Sequence, residues 1–240
     1  MKPVIQMQKS LAVIFDGGLM DTPTAAFFTA GFWRSRKALT GEAVGRGSAW
    51  FIDTSFGPVV LRQYLRGGWV GKFIKQSYLF TSVERSRPFS EFRILVELAR
   101  LGLPVPRPVA ALCEHHGVIS TGAIMTACIL SAQTLADILP SESGSCEVDE
   151  SVWSSVGVCV RRFHEAGVWH ADLNARNILL DANRDVHLID FDRARFTPGK
   201  AVNGKGNLRR LKRSLTKLWP SGDVTALQTA WAKLEAGYYG

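Results

Sequence analysis

No stretch of this 240-residue sequence sustains the ~20 consecutive apolar residues needed to cross a bilayer. Its N-terminus, Met-Lys-Pro-Val-Ile-Gln, has neither the uninterrupted apolar core nor the small-residue cleavage site of a signal peptide. The four cysteines (Cys113, Cys128, Cys146, Cys159) are scattered without a Cys-x-x-Cys pair, which argues against a zinc site and suits a reducing compartment. There is no internal repeat and no low-complexity tract. Acid is absent from one long segment: between Arg193 and Lys217 nine basic residues occur without an Asp or Glu. The formal net charge is +8, and a smaller basic cluster holds Arg62, Arg66, Lys72 and Lys75. Such concentration favours phosphate or anionic-lipid partners over an evenly solvated surface. Nucleic acid fits the charge but finds no supporting motif and is set aside. Hydrophobic residues at 46% and charged residues at 21% exclude global disorder and allow one two-lobed domain or two small ones.

Residues 1–40 read as irregular, with apolar islands at Leu11–Phe15 and Phe27–Trp33 that should pack on a following sheet. From Gly45 the pattern clears. Gly-Arg-Gly-Ser-Ala-Trp-Phe-Ile, a turn at Ser55–Pro58 and Val-Val-Leu-Arg-Gln-Tyr predict a hairpin. Arg66-Gly-Gly is a loop. Pro88 to Leu101 places Phe89, Phe92, Leu95, Val96 and Leu98 at helical spacing and stops at Gly102. After the extended Pro-Val-Pro-Arg-Pro, strands follow around Val109–Cys113 and Ala123–Leu130, turning at His115-His116-Gly117. The acidic segment Ser141–Glu150 reads as an exposed loop. Ser151–Ala166 is an amphipathic helix with Trp153, Val156, Val160 and Phe163 on one face, stopped by Gly167. Strands Ile178–Leu180 and Val186–Ile189 flank a tight turn. Helices at about Leu208–Leu218 and Val224–Ala236 close the chain. Strands first and helices after predict an α+β fold.

Phosphoryl transfer needs a carboxylate to take the attacking hydroxyl's proton, oxygen ligands for Mg²⁺, cations for the phosphates and a Gly-rich cover. Those parts occur in order. Asp172 lies in His170-Ala-Asp-Leu-Asn-Ala-Arg-Asn177, and Leu188-Ile-Asp190-Phe-Asp192 begins ten residues after Ile178. An Asp and an Asn five apart on a loop before a hairpin, with a second Asp just past it, gather three oxygen donors. Asp172 and Asn177 alone would equally suit a capped turn; Asp190 tips the balance to chemistry. His170 is expected to hold the loop by hydrogen bonds rather than to carry protons. Trp169 and Phe191 read as core residues beneath it.

These motifs resemble the protein-kinase-like superfamily, with a small antiparallel-sheet N-lobe and a mostly helical C-lobe. Within it the chain resembles the 3-deoxy-D-manno-octulosonic acid (Kdo) kinases that modify lipopolysaccharide. The likeness extends through Gly-Arg-Gly-Ser-Ala-Trp-Phe, Val-Leu-Arg-Gln-Tyr-Leu-Arg-Gly-Gly, Glu91-Phe-Arg, Leu-Gly-Leu-Pro-Val-Pro-Arg-Pro, His-Ala-Asp-Leu-Asn-Ala, Ile-Asp-Phe-Asp-Arg-Ala-Arg and Asn-Leu-Arg-Arg-Leu-Lys-Arg-Ser, and the Arg-Gly-Gly and tail motifs carry the narrower assignment. It implies a single kinase-like domain over 1–240, with lobes at about 1–130 and 131–240. It implies ATP and Mg²⁺ as cofactors, Asp172 as base, and Asn177 and Asp190 as metal ligands. Gly45 and Gly47 would cover the phosphates, and Arg62, ion-paired with Glu91 (Glu97 being a rival), would bind them. The implied acceptor is the Kdo 4-hydroxyl on Kdo-lipid A, reached from the cytoplasmic face of the inner membrane by a peripheral enzyme with no obligate protein partner.

Three departures qualify the resemblance. Arg62 stands where kinases usually place a strand lysine, and the two are not equivalent. Asp192 replaces the glycine of Asp-Phe-Gly, removing backbone freedom, and is itself a candidate metal ligand. Ala171 replaces an arginine that clamps activation-loop phosphates, which disfavours activation by phosphorylation. Arg176 could neutralise the transferring phosphate or be a solvated loop residue. Leu208, Leu211, Leu215 and Leu218 form a stripe that could lie on lipid headgroups or pack inward. A small-molecule kinase of the aminoglycoside or choline type shares His-x-Asp-x-x-x-x-Asn, but the short stretch after Asp172 disfavours it. A protein kinase would need an Ala-Pro-Glu that is missing. A pseudokinase that binds lipopolysaccharide stays open because of Arg62.

Overall fold

The computed structural model describes residues 1–43, 49–64, 78–79, 82–116, 119–139, 149–220 and 223–240. They cluster into two compact units, Met1–Glu97 with Pro106–Cys128, and Leu98–Val105 with Ile129–Gly240. Gly45, Gly47, Arg66, Lys72, Lys75, the Gly117 turn and most of the acidic 141–150 segment lie outside the described residues.

The first unit is an eight-stranded antiparallel sheet built from β1 (Pro3–Gln8), β2 (Leu11–Asp16), β3 (Leu39–Ala43), β4 (Ala49–Thr54), β5 (Gly57–Gln63), β6 (Tyr78–Leu79), β7 (Pro108–His116) and β8 (Ile119–Ala127). Its order is β1-β2-β7-β8-β5-β4-β3, with β6 also on β8. The expected hairpin forms as β4 and β5, with Thr54 opposite Gly57; Gly57 takes a φ of 106° that other residues rarely adopt. One expectation fails: residues 1–16 are a hairpin in the sheet, not irregular chain. β2 shows no alternation because it is interior, with residues 12–16 all buried, while the edge strand β1 is almost wholly exposed. The other island does pack on the sheet. α1 (Ala30–Ser35) is capped by Thr29, and Phe28 and Trp33 join the core of Phe15, Ile52, Leu61 and Met125.

α2 (Arg87–Arg100) buries Phe89, Phe92, Leu95 and Leu98 on one stripe. It ends as the sequence indicates. Gly102, at φ 69°, donates to Ala99 O while Leu103 donates to Leu98 O, which satisfies the last carbonyls of the helix.

In the second unit β9 (Gln133–Thr134), β11 (Ile178–Leu180) and β12 (Val186–Leu188) form one small sheet, and β10 (Val168–Trp169) pairs with β13 (Arg195–Phe196). Three helices surround them: α3 (Glu150–Glu165), α4 (Lys205–Leu218) and α5 (Val224–Tyr239). α3 and α5 approach closely through glycine: a Cβ on Gly157 would lie 2.1 Å from Leu234 O, and one on Gly237 2.2 Å from Ser154 O. The leucine stripe of α4 faces inward. Leu208, Leu211 and Leu215 are buried and the neighbouring cations are exposed. No helix among the described residues is long and apolar enough to cross a membrane.

Candidate active site

The segment 170–177 joins β10 to β11, and its backbone is held from both sides. His170 is 2% exposed. Its Nδ1 accepts from the Asp172 amide at 3.1 Å, and its Nε2 lies 3.0 Å from Ile189 O. An amide can only donate and a carbonyl can only accept, so the ring is neutral with its proton on Nε2. Burial pushes the His170 pKa below its ordinary value, which keeps that state. His170 is therefore a strut, as its neighbours in sequence suggest. Phe191, fully buried, packs on the His170 ring at 5.0 Å and on Phe163 at 5.7 Å. Trp169 is only half-buried, with the Arg195 guanidinium over its ring.

From the other side α4 grips the loop at two points two helical turns apart. Asn207, with no exposed surface, accepts from His170 N at 3.1 Å and donates to His170 O at 2.6 Å. Ser214 Oγ accepts from Ala175 N at 3.2 Å. The Asn207 amide oxygen also takes the Nε2 proton of His164 on α3 (3.0 Å), and His164 Nδ1 accepts from the Tyr238 hydroxyl on α5 (2.8 Å). Burial likewise lowers the pKa of His164, so this ring too is neutral. Three helices thus tie one buried polar chain to the loop. Neither Asn207 nor His164 stands out in the sequence; Asn207 is visible there only as the first residue of Asn-Leu-Arg-Arg.

So held, the loop presents Asp172 outward, its side chain 63% exposed. Asp172 O accepts from Asn177 Nδ2 at 2.9 Å, which commits the amide nitrogen and leaves Asn177 Oδ1 for a cation. Asn177 O accepts from Ile189 N at 3.0 Å, extending the β11–β12 ladder, so Asp190 begins one residue past the partner of Asn177. Asp190 adopts a φ of 64° and Arg193 one of 58°, whereas Asp192, at the usual glycine position, does not. Oδ1 of Asp190 is shielded from solvent. No three His, Cys, Asp or Glu side chains among the described residues form a metal cage. One carboxylate and one amide oxygen nevertheless fit Mg²⁺, which keeps waters and takes further oxygens from phosphate.

Arg176 is exposed, and its backbone is fixed by Asn174. The guanidinium beside Asp172 belongs instead to Arg210 of α4, with Nη1 3.7 Å from Asp172 Oδ1. In the first unit, Arg62 Nη2 lies 2.6 and 2.7 Å from the two oxygens of Glu91, which is 3% exposed. The Tyr64 hydroxyl also donates to Glu91. Neutralised in this way, a carboxylate can remain buried, and Arg62 keeps 27% of its side chain exposed.

The sequence pattern of the "Lipopolysaccharide kinase (Kdo/WaaP) family" matches residues 30–238. The chain is 39% identical over 224 residues to a 3-deoxy-D-manno-octulosonic acid kinase of Photobacterium profundum, covering 93% of each chain. It is 40% identical over 228 residues to one of Stenotrophomonas maltophilia, covering 95% of this chain and 89% of the relative. It is 35% identical over 226 residues to one of Vibrio vulnificus, covering 91% and 94%.

Proposed function

Given that the chain belongs to the lipopolysaccharide kinase (Kdo/WaaP) family, whose members are protein-kinase-like enzymes, we propose that it transfers the γ-phosphoryl group of ATP to a hydroxyl of Kdo carried on lipid A. The supporting observation is the exposed Asp172 carboxylate on a loop clamped by His170, Asn207 and Ser214. A general base must reach the acceptor proton with its geometry already fixed. The acceptor oxygen attacks the γ-phosphorus, its proton passes to Asp172, and ADP leaves. Asn177 and Asp190 would hold Mg²⁺, which neutralises charge on the β- and γ-phosphates. Arg62, oriented by Glu91, supplies the planar cation for phosphate where a lysine is usual. A cover over the phosphates by Gly45 and Gly47, which lie outside the described residues, rests on the resemblance to kinases alone. The 4-hydroxyl as acceptor rests on the resemblance to Kdo kinases.

The enzyme works as a peripheral protein at the cytoplasmic face of the inner membrane. The exposed cations of α4 support this, at about 1 kcal/mol per well-placed Lys or Arg near an anionic surface. With Leu208, Leu211 and Leu215 buried, the charges of α4 rather than its leucines are offered to the surface.

Mass spectrometry of Kdo-lipid A incubated with the protein, ATP and Mg²⁺ tests the activity. One added phosphate on the Kdo moiety is expected. An unmodified acceptor, with wild-type protein shown to be folded, overturns the reading.

A further inference from the structure

The cation beside Asp172 calls for a role. α4 turns by about 100° per residue, so Arg210, Arg213 and Lys217 share the flank that adjoins Asn207 and Ser214, the two residues touching the loop. Lys212 falls on the opposite flank, over the Trp231 ring of α5. The loop-side flank is thus a basic ridge that begins at the base. Arg210 is 44% exposed and, among the described residues, is the cation within ion-pair range of Asp172.

We infer that Arg210 is a specificity-determining residue that binds the carboxylate of the acceptor sugar beside Asp172. The inference rests on Kdo being the acceptor. A sugar acid brings a carboxylate within a ring's width of the hydroxyl that Asp172 must touch, and two like charges at that separation repel. A guanidinium placed next to the base offsets the repulsion and can bind the incoming carboxylate through its planar fork. Its other donors remain available while one lies against Asp172 Oδ1. Asn177 and Asp190 lie at the β11–β12 end of the same loop, whereas Arg210 reaches the loop from α4, so the two sets approach the base from different elements.

The test compares wild type with Arg210→Ala and Arg210→Lys on Kdo-lipid A and on the same acceptor with its Kdo carboxyl methyl-esterified. Thermal unfolding checks that the variants fold; the half-exposed side chain leaves no cavity. For Arg210→Ala the KM for the free-acid acceptor should rise about 10–100-fold, the value of one charge-assisted contact. Loss of binding energy shared by ground and transition states leaves kcat near wild type, within about threefold. The KM for ATP should not move. Arg210→Lys should recover part of the loss. With the ester, wild type and Arg210→Ala should be equally poor. An equal loss on acid and ester would assign Arg210 to holding Asp172 and overturn the inference, and a raised KM for ATP would assign it to the nucleotide and do the same. If wild type transfers no phosphate to the free acid, the functional reading falls and takes this inference with it.

Discussion

Replacing Asn207 by alanine removes one side chain and strands three buried groups at once: the N–H and C=O of His170 and the Nε2–H of His164. An unpaired buried polar group costs about 1–3 kcal/mol. The site has no exposed surface in the intact protein. A water admitted to the vacated space would re-pair part of the set, which places the expected loss at about 3–6 kcal/mol, large against the roughly 5–15 kcal/mol that holds a domain together. Urea unfolding followed by tryptophan fluorescence measures the total. Peptide-level hydrogen exchange across 150–218 locates it, and loss of protection should centre on 168–180 and α4. Arg209→Ala, on the exposed face of the same helix, serves as the control and should change stability by no more than ~0.5 kcal/mol. An Asn207→Ala loss under about 1 kcal/mol, with the loop still protected, would refute the idea that this amide carries the loop.

Asp172→Asn should lower kcat by at least ~10²-fold with the fold intact, since general-base catalysis supplies about 10²–10⁴; a variant keeping half the wild-type rate rules the assignment out. Asp190→Ala should abolish turnover and weaken Mg²⁺-dependent nucleotide binding, and an unchanged Mg²⁺ titration would count against Asp190 as a ligand. His164 and His170 both have pKa values lowered by burial from an ordinary 6.5, so the unfolded chain takes up protons that the folded one refuses. Stability should therefore be full above pH 6.5 and fall as pH drops below it, and a flat urea midpoint from pH 7.5 to 5.5 would contradict the neutral assignments. Binding to anionic vesicles should fall steeply with salt, because the Debye length shrinks from about 8–10 Å at physiological salt to about 3 Å at 1 M. The quadruple variant Arg209, Arg210, Lys212 and Arg213→Gln should show a shallower dependence, and salt-independent sedimentation would defeat the electrostatic account.

Much of the site is legible because its signals are local. His170, Asp172, Asn177 and Asp190 fall within one short stretch, and the helices α2, α3, α4 and α5 announce themselves through residues three and four apart. Gly102 and Gly167 mark helix ends by a backbone conformation that only they adopt cheaply; their φ values are 69° and 92°. What stays hidden is what depends on distant partners. β2 reads as an apolar island because a strand buried on both faces has no alternation to reveal it. The bonds that fix the loop join residues 37, 43 and 74 positions apart, and a buried Asn or His looks in sequence like any surface one. The two arginines make the same point: Arg176 is four residues from Asp172 and faces solvent, while Arg210, 38 positions away, lies at its carboxylate. The sequence alone determined which groups are candidates for the chemistry, because that depends on residue type and short spacing. Only the tertiary structure decided what holds those groups in place and which cation stands beside them, because hydrogen bonds and ion pairs form between neighbours in space, whatever their separation along the chain.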